Sequence, residues 1–550
     1  METTNHTNKH NLCLGGSRIA ICAMAAFGAS CTSQVQQLQT PNVLLIMVDD
    51  LNDWIGVMGG HTQAITPNID ALVSRGVFFT NAHCSQPVST ASRNSLLSGK
   101  HPATSGWYVD TKSMGATYDE VMEGSAMLPQ YFKDNGYDTY GVGKIFHNGI
   151  CDYSDRKDDM WSGYAPSFWS NIEDHIRESA YGYRGYMFYP FPKDGGQLVQ
   201  SYISDYGIDT INYYREHNRF YSLCGGPLDE GDIPAEGMYD EQIAQWAVDK
   251  IEDIAQSATS DPFMLAVGFI RPHVPYTAPR RYFDMYDPES IIVTTPPEDD
   301  MSDIPIFGKA IAYGSSPAGD WFDVQRREGV DRELIHAYLA SVTFMDEQVG
   351  KVMAALDASG MADNTIIVLC SDHGQHLGEK RHYRKQALWE ESTRVPMFIS
   401  LPKGVGQKDI YYNHPVSLLD LYPTLVSLCG LPTNDHLDGQ DLSPIMWDVE
   451  SMVTPPTLIS WKYGNFAVRS DDWRYIQYRD GSEELYDHRV DPQEYNNLAL
   501  DPTYASVIEE HKKYIPQNPA IPAGRTEFTG DTYETRIKEW ERNGIPTWLL

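Results

Sequence analysis

The chain has 550 residues, 41% hydrophobic and 21% charged, the balance of a folded protein with a sizeable core. Asp and Glu total 75 against 42 Lys and Arg, a formal net charge of -33. Such a surface repels nucleic acid and anionic membranes within a Debye length, which argues against both as partners, and any anionic substrate must meet a locally basic pocket.

In chain order, Lys9 and Arg18 precede an apolar run from Ile19 to Ala29 that is too short to span a bilayer but suits an export signal. Gly28-Ala29-Ser30-Cys31 resembles a lipobox with Gly28 in the place of the usual Leu. Cleavage there would leave a lipidated Cys31; ordinary cleavage near Ala29 is the other reading. Residues 1–31 are therefore expected to export the chain to the periplasm or outer membrane, with 32–40 as a tether. The later cysteines, Cys84, Cys151, Cys224, Cys370 and Cys429, are scattered and odd in number, so they read as buried small hydrophobes rather than a disulfide framework.

Val43 to Val48 (VLLIMV) reads as a buried strand ending in Asp49-Asp50. Thr66 to Arg75 reads as a helix stopped by Gly76, and after a Ser/Thr-rich stretch a helix begins near Ser92. Met127 to Asn135 is helical and Tyr137 to Val142 a strand. Cys151 to Cys224, rich in aromatics, reads as an insertion; its aromatics from Tyr153 to Tyr221 suit either sugar stacking or a local core. Glu241 to Ala255 is a helix, Phe263 to Ile270 a strand, and Pro296 to Gly329 a second, irregular insertion. Arg332 to Leu356 is the longest helix, followed by strands Thr365 to Cys370 and Val395 to Leu401. This alternation predicts an α/β fold, a sheet sandwiched by helices, over residues 41–450. Beyond Pro455-Pro456, short alternating segments predict a smaller antiparallel lobe over 451–550.

Four predicted strands deliver polar groups at their carboxyl ends, where open α/β sheets bind ligands: Asp49-Asp50, Lys144 with His147, Arg271 with His273, and Asp372-His373. Each alone is compatible with a cap or a solvated loop; all four together are not. The carboxylates suit Ca2+ or Mg2+ better than zinc, although His373 would soften the site. Lys144, His147, His273 and either Lys385 or Arg384 add cations and proton donors, which a tetrahedral oxyanion ester requires. Ser89 lies near a predicted helix start, with Arg93 one turn further along. On local grounds Ser89 is either a cap or a group aimed at an anion.

Ser89-Thr90-Ala91-Ser92-Arg93, followed by NSLLSGK, resembles the signature of the type I sulfatases, (Cys or Ser)-x-(Pro or Ala)-x-Arg. PNVLLIMVDDLN, GVGKIFH, GFIRPHVPY, SDHGQHLGE and YDHRVDPQEYNNLA match the same family in order, from about Pro41 to Leu498. GKIFH, RPHVP and SVTFMDEQVG are most similar to its iduronate-2-sulfatase branch. The resemblance implies an alkaline-phosphatase-like fold and one Ca2+ held by Asp49, Asp50, Asp372, His373 and residue 89. It implies that Ser89 is converted to formylglycine, whose hydrate attacks sulfur through one hydroxyl and expels sulfate through the other. Arg93 and Lys144 would stabilise the groups around it. His273 and Lys385 would bind sulfate oxygens or protonate the leaving alcohol, and His147 would take the second proton. Ser rather than Cys at position 89 implies an anaerobic sulfatase-maturating enzyme as a partner. Cys84 has Val88 where the motif needs Arg, and reads as structural.

The implied substrate is a sulfated saccharide, foremost a 2-O-sulfated uronic acid at the non-reducing end of a glycosaminoglycan oligosaccharide, with algal polysaccharide fragments as the rival. A phosphohydrolase using unmodified Ser89 or Thr90, and an inactive sulfoglycan-binding lipoprotein, are the alternatives from other classes.

Overall fold

Val43, Leu45 and Met47 face one apolar core and Leu44, Ile46 and Val48 another, so β1 (Asn42–Val48) is covered on both sides. The computed structural model describes residues 40–109, 116–152, 154–165, 199–200, 223–257, 261–314, 329, 331–528, 530 and 532–544. The expected export signal, the tether up to residue 39 and most of the aromatic segment 153–221 lie outside these residues. Among the described residues no helix is long and apolar enough to cross a membrane.

The main sheet further comprises β2 (Val77–His83), β3 (Asp138–Gly143), β4 (Gly163–Tyr164), β5 (Phe263–Phe269), β6 (Thr365–Ser371), β7 (Arg394–Ser400) and β8 (Ile410–Tyr412). Their order across the sheet is β8-β2-β7-β6-β1-β5-β3-β4. β1 runs parallel to β5 and β6, and β3 parallel to β5, which brings the carboxyl ends of these four strands to one edge. β7 is antiparallel to both of its neighbours and makes the sheet mixed. β2 falls within the stretch that reads from sequence only as Ser/Thr-rich, with no element assigned. VFFTNAH becomes a strand because β7 and β8 pair with it on either side, which its Thr-Asn-Ala ending does not announce.

Helix α1 (Ser89–Ser98) packs Leu96 and Leu97 on one face of the sheet, and α2 (Tyr239–Gln256) and α3 (Asp331–Ala358) cover the other. Leu339, Val342, Phe344 and Val349 of α3 are fully buried, each worth about 1.5–3 kcal/mol in transfer alone. β9 (Thr457–Ser460), β10 (Phe466–Arg469), β11 (Trp473–Gln477) and β12 (Glu483–Asp487) form a separate antiparallel meander. The second insertion is not wholly irregular: Ile306–Gly314 is a helix. Its two glycines hid it from the sequence pattern. Gly308 is needed for packing, since a Cβ there would lie 2.7 Å from both Glu484 and the Tyr478 hydroxyl of the small sheet.

Candidate active site

The register of the central strands builds the site. Val48 pairs with Ser371, so Asp49 and Asp50 leave β1 beside Asp372 and His373 leaving β6, and the Asp372 amide donates to Val48 O at 3.1 Å. All four side chains are buried. Asp50 is held in the left-handed region at φ 63°, a costly conformation for a non-glycine residue. Its amide donates to Asp372 Oδ1 at 3.2 Å and its carbonyl accepts from the Tyr338 hydroxyl at 2.8 Å. On the neighbouring strands, a Cβ on Gly268 would sit 2.2 Å from Lys144 O; only glycine lets β5 pass so close to the loop that carries Lys144.

Ser89 is the first residue of α1, not its cap: Val88 holds the capping position and makes no side-chain cap. This corrects the expected helix start near Ser92 and leaves the serine hydroxyl available to the site. Ser89 is buried, and its Oγ donates to Asp49 Oδ1 at 3.0 Å and lies 3.0 Å from His373 Nε2. One turn along, Arg93 is completely buried and spends its guanidinium on protein acceptors. Nε donates to Asp372 Oδ2 at 2.8 Å, Nη2 to Asp49 Oδ1 at 3.4 Å, and Nη1 to Lys144 O and to Ile145 O, the latter at 3.2 Å. Ser92 Oγ donates to Asp372 O.

Lys144 Nζ pairs with Asp49 Oδ2, and Lys385 Nζ with Asp50 Oδ1. The register thus selects Lys385, not its neighbour Arg384, as the residue that reaches the aspartates. Burial alone would raise both aspartates. Lys144, His273, Arg93 and Lys385 instead hold Asp49 well below the usual range, and Lys385 with His273 and His373 holds Asp50 at about 2. Burial raises Asp372 against the pull of Arg93. Burial likewise pulls the Lys144 ammonium down, against Asp49.

His273 Nε2 lies 4.0 Å from Asp50 Oδ2 while its Nδ1 sits 2.7 Å from Val274 O. His373 Nδ1 sits 2.9 Å from Gly374 O. A carbonyl only accepts, so in both rings Nδ1 carries a proton, and each Nε2 is turned toward the aspartates. Burial, then Lys144, takes His147 down to about 3, and burial takes His273 to about 3, so both are neutral imidazoles near pH 7. His147 Nδ1 is buried without a hydrogen-bond partner. Arg271, grouped with His273 by the sequence pattern, faces its own loop instead: Nε donates to Thr277 O at 2.9 Å and Nη2 to Thr277 Oγ1 at 2.8 Å. Asp240 of α2 accepts the Ile270 and Arg271 amides, both at 2.8 Å, and fixes that loop's start.

Donor atoms of Asp49, Asp50, Asp372 and His373 all lie within 4.8 Å of one another. Three carboxylates with one imidazole lone pair suit a hard divalent cation. Three aspartates stand against three basic side chains, Arg93, Lys144 and Lys385, so a bound divalent cation would make the pocket more positive and readier for an anionic ester. Glu390, His488 and Glu494 also cluster. Their oxygens are already taken, by Arg469 Nε on Glu390 at 3.1 Å and Arg474 Nε on Glu494 at 2.7 Å. That cluster is a charge clamp between the sheets. Cys84 is buried, its amide donating to Thr393 O, and burial pushes its thiol well above the usual range. Tyr338, Ser92 and Asp240 were missed by sequence reasoning. The one available signal was Tyr338, a hydroxyl in the middle of an apolar helix that has to find a partner.

The comparisons agree with this geometry. The family description "Sulfatase" matches residues 41–431, and "N-sulphoglucosamine sulphohydrolase, C-terminal" matches residues 378–519. A sulfatase of Formosa agariphila is 36% identical over 514 residues, covering 91% of each chain. The iduronate 2-sulfatase of Mus musculus is 32% identical over 462 residues, covering 77% of this chain and 73% of that one. A solved structure described as a 2-O GAG sulfatase superposes with a TM-score of 0.61 at 23% identity, over 92% of this chain and 94% of that one, a likeness of fold. The chain belongs to the sulfatase family and is a sulfuric ester hydrolase with the alkaline-phosphatase-like fold.

Proposed function

We propose that the protein removes 2-O-sulfate from the non-reducing-end uronic acid of glycosaminoglycan oligosaccharides, with formylglycine at position 89 and calcium in the aspartate pocket. The observation that carries the chemistry is the position of Ser89 Oγ, 3.0 Å from both Asp49 Oδ1 and His373 Nε2 at a buried helix start. The similarity to iduronate 2-sulfatase supports the choice of sugar.

Asp49, Asp50, Asp372 and His373 would hold Ca2+, which would offset charge on the sulfate oxygens, and formylglycine at position 89 would supply a hydratable carbonyl as the nucleophile. The chain's own residues do the rest. Arg93 fixes Asp372, Asp49 and the Lys144 loop around residue 89. Lys144 and Lys385 present ammonium donors to the sulfate oxygens, and Lys385 delivers the proton that the departing alcohol needs. His147, held neutral by burial, accepts the proton released when sulfate leaves. Overall, the ester and one water become the alcohol and hydrogen sulfate. The N-terminal 1–31 segment is proposed to export the enzyme to where such oligosaccharides are met, with the maturase acting on Ser89.

The test uses protein co-produced with an anaerobic maturase that converts a control sulfatase. Mass spectrometry of the tryptic peptide spanning Ser89 should show the loss of two hydrogens, and the enzyme should release sulfate from a 2-O-sulfated unsaturated uronyl disaccharide but not from its 6-O- or N-sulfated isomers. An unmodified Ser89 would sink the mechanism; a modified enzyme selective for another sulfate position would sink only the substrate.

A further inference from the structure

Lys385 reaches Asp50 from the hairpin of His376–Leu377 and Tyr383–Arg384, whose backbone is unusual. Lys380, Arg381, Arg384 and Gln386 hold φ at 53°, 48°, 77° and 76°, and none is glycine. Left-handed residues with side chains persist only where their surroundings over-determine them, and they gather at functional sites. The centre of those surroundings is Lys380. Its ammonium is buried and donates to Asp300 Oδ1 at 2.7 Å and to Glu494 O. It also lies 5.5 Å from the ring centroid of Trp389 and 5.3 Å from that of Tyr486. Asp300 precedes the Ile306–Gly314 helix, and Glu494 follows the small sheet. One side chain therefore ties three distant stretches of chain together at the base of the loop that carries Lys385. On the other flank, the Gln386 amide donates to Pro87 O at 3.1 Å, two residues before Ser89.

We infer that Lys380 is a positioning residue: through Asp300 and Glu494 it fixes the strained hairpin so that the Lys385 ammonium stands over Asp50. Its kinetic consequence rests on the sulfatase reading above; its structural consequence does not. Lys380 never meets the substrate, so its loss should lower turnover and leave substrate affinity alone. A purely structural role at the lobe junction would lower thermal stability and spare turnover.

The full-length protein is made with the maturase as Lys380→Met, Lys380→Arg, Lys385→Met and the double Lys380→Met/Lys385→Met, beside Arg479→Met. Arg479 pairs with Glu534 and donates to Tyr463 O, neither of them a partner of Lys380 or Lys385, and its variant controls for destabilisation at the lobe junction. On a chromogenic aryl sulfate, Lys380→Met should lose about 10- to 100-fold in kcat with KM changed less than about threefold, the scale of a misplacement near 1 Å. It should cost nothing further on the Lys385→Met background, because coupled residues fail to add. Lys380→Arg should recover part of the loss. In hydrogen exchange, peptides spanning 377–386 should open about tenfold faster in Lys380→Met while the small sheet keeps its protection. Wild-type kcat in a Lys380→Met protein, an equal loss on both backgrounds, or unchanged exchange at 377–386 would overturn the inference. If the wild type proves inactive with Ser89 unmodified, it is the sulfatase mechanism that has failed, and the exchange measurement still decides the role of Lys380.

Discussion

Replacing Arg93 with Lys keeps the charge and removes the shape. The guanidinium serves four buried acceptors: two carboxylates, Asp372 and Asp49, and two carbonyls, Lys144 O and Ile145 O. A lysine ammonium at the same position can satisfy the carboxylates but cannot fork to both carbonyls. Each buried carbonyl left unpaired costs about 1–3 kcal/mol, so the variant, with two, should lose roughly 2–6 kcal/mol of stability. The carbonyls belong to the loop that carries Lys144 and His147, so the loop should shift as well. A shift on the 1 Å scale costs about 100-fold in kcat, or about 2.7 kcal/mol of barrier. Arg93→Met should be worse in stability by about 3–5 kcal/mol more, because Asp372 is then buried without its partner. Denaturant unfolding and aryl-sulfate kinetics on formylglycine-bearing protein measure both. Arg93→Lys with stability within about 0.5 kcal/mol of wild type and kcat within about threefold would refute the reading of Arg93 as scaffold and make it a simple positive charge.

Dialysis against EGTA should abolish turnover and lower the unfolding temperature, with both restored by Ca2+; the linkage is worth about 2.7 kcal/mol at a hundredfold excess over Kd, and an unfolding temperature indifferent to EGTA and Ca2+ would dismiss the aspartate pocket as a metal site. Asp420 is pushed up to about 7 by burial, with only the Gln440 and Ser417 amides to favour its charged form. Its folded pKa exceeds the unfolded one, so its contribution is full below the unfolded value near 4 and is lost as pH rises to about 7. Asp420→Asn should flatten the fall in stability across that window by on the order of 4 kcal/mol in denaturant titrations at several pH values, whereas parallel profiles would contradict it.

The sequence revealed the architecture wherever burial is local and periodic. VLLIMV and TIIVLC are strands because both of their faces are covered, and the long pattern from Arg332 to Leu356 is a helix for the same reason. It was silent where tertiary pairing decides. β2 becomes a strand through its neighbours, and the glycine-bearing Ile306–Gly314 helix exists to pack against the small sheet. At the site, motifs ending in Asp49-Asp50, Lys144, His273 and Asp372-His373 were visible because they follow strands, and the structure gathers them at one edge. The residues that hold them in place were not visible. Tyr338, Asp240 and Lys380 act from a helix, a helix start and a loop, each through one polar group whose partners are far away in sequence.

Two clusters of acids and a histidine occur among the described residues, and setting them side by side shows what separates a site from a clamp. In the lobe junction, Glu390 takes Arg469 and Arg474, Glu494 takes Arg474 and His488, and His488 Nδ1 lies 3.1 Å from Arg469 Nη2, so no lone pair is directed at open space. Such a closed buried network resists separation, because removing one partner leaves a buried charge unpaired. At the sheet edge the aspartates also meet cations, but neutral His273 turns its one proton outward to Val274 O, and its Nε2 faces Asp50. Lone pairs directed at a carboxylate gain nothing from it. They are stabilised only when a cation or a shared proton stands between them, which is the electrostatic reason to place the chemistry there and the mechanical work at the junction.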